Sequence, residues 1–170
     1  MRHTKYDIIK ERYEQGLVEI NSFSTLIDNF HTDINVGLLI RTAAALGARE
    51  IFIVGQKEWQ RNVACAADRF IPIHYCDNND DMYSFLVQKN YNIVCLEQTN
   101  EAAFLPYREY PAEPVFVLGN ETTGVSDFWL DKAGKILQIK MFGGPKSLNV
   151  NVAAGILFSD YINYRHEKTS

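Results

Sequence analysis

The sequence has little of what would tie it to an oxidised, metal-bound or membrane setting. Cysteine occurs three times, at Cys65, Cys76 and Cys95. An odd number with no CxxC pair fits neither a disulfide framework nor a zinc site, so each is expected to be a buried thiol, with no metal bound. No apolar run nears the ~20 residues that a membrane-spanning helix needs. The opening Met1-Arg-His-Thr-Lys-Tyr-Asp leads into charge rather than the apolar core of a signal peptide, so a cytoplasmic location is expected. An excess of positive charge is also missing. The formal net charge of −4 argues against coating nucleic acid by bulk electrostatics, although locally gathered cations would still suit an RNA substrate. There is no GxGxxG, and Gly143-Gly144-Pro145-Lys146-Ser147 fails the P-loop pattern because proline precedes the lysine.

What is present is an ordinary globular composition, 46% hydrophobic and 22% charged over 170 residues, long enough for one domain with a substantial core. Residues 1–20 read as an N-terminal arm or short amphipathic helix that Gly16 ends, and 21–170 as a single domain. Short apolar or β-branched runs predict strands over Ser24–Asp28, Glu50–Val54, Asn92–Glu97, Val115–Leu118 and Ile136–Ile139. Helical patterns fall between them, over Val36–Leu46, Asp80–Lys89, Ser126–Lys132 and Val150–Tyr164. Strands alternating with helices imply βαβ units, hence an α/β fold with an open, mostly parallel sheet covered on both faces.

Three segments carry polar groups where chemistry is plausible. In Asn35-Val-Gly-Leu-Leu-Ile-Arg41-Thr-Ala-Ala-Ala-Leu-Gly47, one arginine interrupts a helix of apolar and small residues. It must reach solvent or pair with an anion, because an unpaired buried charge is costly. Asn35, before that helix, suits an N-cap or a site residue. In Val115-Phe-Val-Leu-Gly119-Asn120-Glu121-Thr-Thr-Gly124-Val-Ser126, a buried strand runs into a turn with two glycines and a carboxylate, at the strand end where open parallel sheets place ligands. Gly119 would let a flat ligand approach the backbone and Glu121 offers an acceptor; capping through Ser126 is the simpler alternative. In Ile136 to Ile156, a strand, a Gly-Gly-Pro loop and an apolar helix put Ser147 and Asn149 at a helix entrance, where free amides favour polar ligand groups or a cap.

In this order and at these separations the segments resemble the three motifs of SpoU-type (TrmH-like) methyltransferases of the SPOUT, or α/β-knot, superfamily. The first resembles NxGxxxRxAxxxG through Asn35, Gly37, Arg41, Ala43 and Gly47. The second resembles GNExxG through Gly119, Asn120, Glu121 and Gly124. The third resembles IxMxG followed by SLNVxxA, through Ile139, Met141, Gly143 and Ser147-Leu-Asn-Val150. The resemblance spans about Ser24 to Tyr164. Lys140 stands where the family usually has proline, and Thr122-Thr123 replaces a commoner small or basic pair.

The resemblance implies a deep C-terminal trefoil knot over roughly Asn92 to Val152. It implies S-adenosyl-L-methionine held against Leu96, Gly119, Ile139, Ser147 and Leu148, and a homodimer whose active site is completed across the interface. The implied reaction is methylation of a ribose 2′-hydroxyl of tRNA or, alternatively, rRNA, with Arg41, Asn35, Glu121, Ser147 and Asn149 as the catalytic set. Arg41 would be either a perturbed base or a cation that stabilises the developing alkoxide, the easier role for a guanidinium with a pKa above ~12. Asn35, Glu121 and Asn149 would orient Arg41 and the ribose. Two other readings stay open: a noncatalytic RNA-binding or assembly factor on the same fold, and a base-nitrogen methyltransferase. With no appended RNA-binding domain expected, RNA contacts would fall to the domain itself, its arm and the dimer surface. Arg2, Lys5, Lys10, Arg12, Arg61, Arg69 and Lys146 are candidates for phosphate.

Overall fold

The computed structural model describes residues 5–55 and 58–169, with side chains described from residue 7 onward. Arg2 and the Lys5 side chain therefore lie outside the described residues. Seven parallel strands form one sheet: β1 (Ser24–Asp28), β2 (Ile51–Val54), β3 (Ile73–Cys76), β4 (Asn92–Leu96), β5 (Ala103–Phe104), β6 (Pro114–Leu118) and β7 (Lys135–Gln138), in the order β3-β2-β1-β6-β4-β7-β5. The helices are α1 (Lys5–Glu14), α2 (Asp33–Ala45), α3 (Arg61–Ala64), α4 (Asn79–Gln88), α5 (Asp127–Lys132) and α6 (Val150–Thr169), with a 3-10 turn at Ala67–Arg69.

The period-two alternation of the strands divides the core into two layers. Ile27, Ile53, Phe116 and Leu118 face α2 and α6, packing on Leu39, Ile40, Ala43, Leu157, Phe158 and Tyr161. Leu26, Phe52, Val115 and Val117 face the other way, onto Met82 and Leu86 of α4 and Trp129 of α5. Burial on both faces is why β2 and β6 read as unbroken apolar runs rather than alternating ones.

The expected strands and helices are all present, with ends displaced by a residue or a few. Two strands that the sequence did not advertise join them. β3, Ile73-His-Tyr-Cys, is only half-buried at one edge of the sheet, and β5 is a two-residue edge pairing with β7. The cysteine expectation holds for Cys95, which is buried, but Cys65 and Cys76 are partly exposed. Burial pushes the Cys95 thiol up to about 12, with Asp28 and Glu97 adding to the shift. Gly16 does end α1, with φ +66 and its N–H on Tyr13 O. Among the described residues no helix is long and apolar enough to cross a membrane.

Two features of the topology position the site. Leu96 is level with both Leu118 and Leu137 across β6-β4-β7, so the carboxyl ends of these strands finish side by side. In addition, β7 lies between β4 and β5, which the short 97–102 connection joins in sequence. A late strand inserted between two earlier ones is compatible with a threaded, knotted chain. Gln138 Nε2 donates to Thr99 O (3.2 Å) and Ala102 O (2.9 Å), fastening that connection across the end of β7.

Candidate functional site

A cleft of about 620 Å³ opens at these strand ends, lined by residues following β4, β6 and β7 and by the start of α6. It is within the usual range for small-molecule sites, ~300–1,000 Å³. Leu96, Leu118, Ile139, Met141 and Leu148 supply apolar wall, while Asn35, Glu121, Ser147 and Asn149 bring polar side chains. A groove of about 700 Å³ lies elsewhere, between α1, α2 and the 3-10 turn, and is lined mainly by apolar groups such as Ile9, Tyr13, Leu17 and Phe70. The smaller cleft is the candidate for chemistry, because it sits at the strand carboxyl ends where polar groups converge.

The second motif is a turn closed on itself. Asn120 and Gly124 exchange backbone hydrogen bonds of 3.0 and 2.9 Å, and Asn120 Oδ1 accepts from the N–H groups of Thr122 (2.8 Å) and Thr123 (3.2 Å). Two neighbouring strand ends, those of β1 and β4, hold the turn down. Glu97 Oε2 accepts from Val125 N–H at 2.8 Å, Asp28 Oδ2 from Ser126 N–H at 2.7 Å, and Asn120 Nδ2 donates to Asn29 O at 2.7 Å. Ser126, expected as a possible cap, makes no side-chain cap hydrogen bond to α5.

Gly119 has a further role in this turn. It lines the cleft, but the space a Cβ would take is filled by backbone, 2.1 Å from both Gly124 C and Val125 N, so glycine is required first by the turn itself.

This turn sets Glu121 beside the start of α2. Its carboxylate accepts from His31 N–H (2.6 Å), from Thr32 Oγ1 (3.4 Å) and from Asn35 Nδ2 in a short contact. Partial burial works to raise its pKa. The Asn35 amide and the backbone N–H groups of His31, Glu121 and Thr32 outweigh that and hold it below the usual carboxylate range.

The sign follows directly. A depressed folded pKa contributes stability that is present above the unfolded value, near 4.5, and lost as pH falls through the folded one. Wild type should therefore be more stable than Glu121→Gln at pH 6, and the gap should narrow on acidification below about pH 4.5. Urea titrations of both proteins at several pH values measure this, and a gap constant down to pH 3 would refute it.

Asn35 is not the N-cap of α2. Thr32 takes that position and accepts from Asn35 N–H (3.3 Å), which leaves the Asn35 side chain to the site. Its Oδ1 accepts from Asn149 Nδ2 (3.4 Å) and Asn151 Nδ2 (3.1 Å), so one amide links the second motif to the third. Asn149 directly precedes α6 and accepts from Asn151 N–H (2.9 Å), as an N-cap does. The cap thus belongs to Asn149 rather than Ser147, which is exposed and lines the cleft.

Of the residues singled out in the sequence, the fold brings Asn35, Glu121, Ser147, Asn149, Leu96, Gly119, Ile139 and Leu148 to this one cleft. Arg41 is elsewhere. It is exposed on α2, lines the other groove together with Arg12, and has no hydrogen-bond or ion-pair partner among the described residues. Six helical positions at 100° each turn it about 120° away from Asn35. Sequence reasoning missed Asp28, Glu97, Gln98, Gln138 and Asn151, which fasten the cleft. The available signal was positional, since all but Asn151 lie at or just beyond a strand's carboxyl end. Among the described residues, no group of His, Cys, Asp and Glu is arranged to hold a metal ion.

Comparison with known proteins bears on the family and the fold. The model of the SpoU rRNA Methylase family matches residues 22–159. A 23S rRNA (guanosine-2′-O-)-methyltransferase of Haemophilus influenzae is 29% identical over 92% of this chain and 68% of its own length. A tRNA (guanosine(18)-2′-O)-methyltransferase of Aquifex aeolicus is 28% identical over 83% of this chain and 69% of its own. Among solved structures, the A. aeolicus TrmH/SpoU tRNA modifying enzyme superposes with a TM-score of 0.83 at 24% identity, covering 95% of this chain and 86% of that one. The SpoU methyltransferase AviRb of Streptomyces viridochromogenes, in complex with AdoMet, gives 0.79 at 18% identity over 91% and 64%. At these identities the superpositions bear on the fold.

Proposed function

Because the chain belongs to the SpoU rRNA Methylase family, we propose that it is an S-adenosyl-L-methionine-dependent RNA methyltransferase acting on a ribose 2′-hydroxyl, of tRNA or alternatively of rRNA. The observation that carries this is the convergence of Asn35, Glu121, Ser147 and Asn149, from three separate motifs, on one cleft at the strand carboxyl ends. Residues 21–170 are read as the catalytic domain, residues 1–20 as its arm, and the location as cytoplasmic.

The cleft suits the cofactor chemically. Leu96, Ile139 and Leu148 offer apolar wall to a flat purine, Gly119 and Ser147 flank it, and Glu97 and Gln98 bring polar groups to the same rim. When bound, S-adenosyl-L-methionine supplies a methyl group already activated on a sulfonium. The chain's own task is then to align the ribose and to stabilise negative charge developing on its oxygen as the proton leaves for solvent. A carboxylate held below its usual pKa range is a weak base and a firm hydrogen-bond acceptor. Glu121 therefore orients, fixing Asn35, while Asn149 and Ser147 face the substrate side.

The remaining requirement is a cation, and here the protein acts as a homodimer. Ile34 lies on the same face of α2 as Arg41, seven residues or about two turns away. Ile34 is 45% exposed, and Val152 and Ile156, one turn apart on α6, are 52% and 40% exposed. A second copy covering these exposed apolar residues would bury Ile34 and bring Arg41 of one subunit toward the cleft of the other. The contact would be isologous, so both clefts would be completed alike.

The test is to incubate the purified protein with labelled S-adenosyl-L-methionine and bulk tRNA or ribosomal RNA, then digest to nucleosides for mass spectrometry. A 2′-O-methylated nucleoside is expected. A methylated base would shift the reading to nitrogen chemistry, and no methyl transfer with no cofactor binding would shift it to a noncatalytic RNA-binding factor.

A further inference from the structure

The loop from β7 to α6 carries an aromatic ring that the cleft does not use. Phe142 is 87% exposed, more than any other large exposed hydrophobic residue of the described chain, the rest of which lie between 38% and 59%. Its predecessor Met141 lines the cleft and Phe142 does not, so the ring stands outside, on the rim. The loop is fastened at both ends. Gln138 holds the 97–102 connection, and Lys146 O accepts from Gln98 Nε2 at 2.7 Å. A ring this exposed on an anchored loop is presented rather than merely loose.

A cation stands beside it. Lys140 Nζ lies 5.3 Å from the centroid of the Phe142 ring. From Lys140 to Lys146 the loop has two lysines and no carboxylate, in a chain whose net charge is −4. An apolar ring with an ammonium group beside it matches a ligand that has flat faces and negative charge close together, as a nucleotide within RNA has. Base-on-aromatic stacking tolerates any base, because each presents a π-face.

We propose that Phe142 is a stacking platform for a nucleobase of the RNA substrate, next to the nucleotide whose ribose enters the cleft, with Lys140 and Lys146 on the flanking phosphates. This rests on the RNA-methylating reading above. Phe142 would not touch the cofactor or the reacting atoms; it would hold the strand in register over the cleft.

The test measures binding of bulk tRNA, and in a second arm fragmented ribosomal RNA, to the full chain with S-adenosyl-L-methionine present. Phe142→Ala should weaken RNA binding roughly five- to hundred-and-fifty-fold, the range that loss of one base stack gives. Phe142→Trp should restore it, while cofactor affinity and molecular mass in solution stay as in wild type. Lys140→Gln should flatten the dependence of RNA affinity on salt, which Phe142→Ala should leave unchanged, since only the lysine releases counterions.

The platform is overturned if wild type binds RNA and Phe142→Ala binds it equally well. Loss of cofactor affinity in Phe142→Ala would place the ring in the cofactor pocket instead, and a fall in molecular mass would place it in the subunit contact. If wild type binds and methylates neither RNA, the proposed function falls and takes the platform with it.

Discussion

Replacing Arg41 with alanine is expected to abolish methyl transfer, lowering turnover by about 10²–10³-fold or more, the loss typical of removing a group that stabilises a developing oxyanion. Cofactor affinity, measured by calorimetry, should be nearly unchanged, because Arg41 does not line the cofactor cleft. The effect should be large even though Arg41 is exposed and has no partner among the described residues of its own chain.

If its place of action is the cleft of a second copy, mixing subunits reveals it. Arg41→Ala and Asn35→Ala are each expected to be inactive alone. Mixed dimers would contain one site with an intact Asn35 and an arginine from the other chain. Unfolding and refolding the two together should therefore restore about a quarter of wild-type activity, because half the dimers are mixed and half their sites complete. No recovery would mean that Arg41 acts within its own subunit. Near-normal turnover of Arg41→Ala alone would remove it from the reaction altogether.

Gly119→Ala should do comparable damage by another route. An added Cβ meets Gly124 C and Val125 N at 2.1 Å and Gly124 O at 2.4 Å, all backbone atoms that cannot swing aside. Relief requires opening the Asn120–Gly124 pair, and with it the hydrogen bond from Val125 N–H to Glu97. Overpacking of this kind typically costs about 1–3 kcal/mol, and sometimes more. The same turn positions Glu121 and forms one wall of the cleft, so cofactor affinity should fall by at least about tenfold, the equivalent of ~1.4 kcal/mol. Urea unfolding and calorimetry measure the two effects. A variant of normal stability and normal cofactor affinity would show that the turn can open freely.

Much of the fold was legible because burial on both sides of a parallel sheet leaves an unmistakable pattern. Thr25-Leu-Ile, Ile51-Phe-Ile-Val and Val115-Phe-Val-Leu are fully or nearly buried, and each reads as a strand without help. The strands that escaped notice lack that pattern for a physical reason. β3 is an edge strand whose four residues are all half-buried, and its His74 and Tyr75 turn polar atoms to Glu50 and Gly55. β5 exists only because β7 provides a partner for its two residues.

Within the site, residue types were legible and reasons were not. Gly37 and Gly47 belong to the first motif, yet neither faces the cleft. A Cβ at Gly37 would come 3.0 Å from Gln60 O, and one at Gly47 would come 2.4 Å from Glu19 O, so both record close backbone packing around α2. Asn35 was equally good as a cap or as a site residue. The choice was made by Thr32, which caps α2 and so frees the Asn35 amide.

The sequence by itself determined that this is an α/β chain with a parallel sheet, and it marked the three polar segments that the fold gathers. Local pattern suffices for that, since strand burial, helix phase and glycine placement are written in neighbouring residues. Only the tertiary structure decided that the Asn35 amide spans Glu121, 86 positions on, and Asn151, 116 positions on, because such contacts depend on strand order rather than on spacing. It also decided that Arg41, in the same motif as Asn35, turns away from it. A helix rotates by 100° per residue, so two side chains of one motif share a site only when their phases agree.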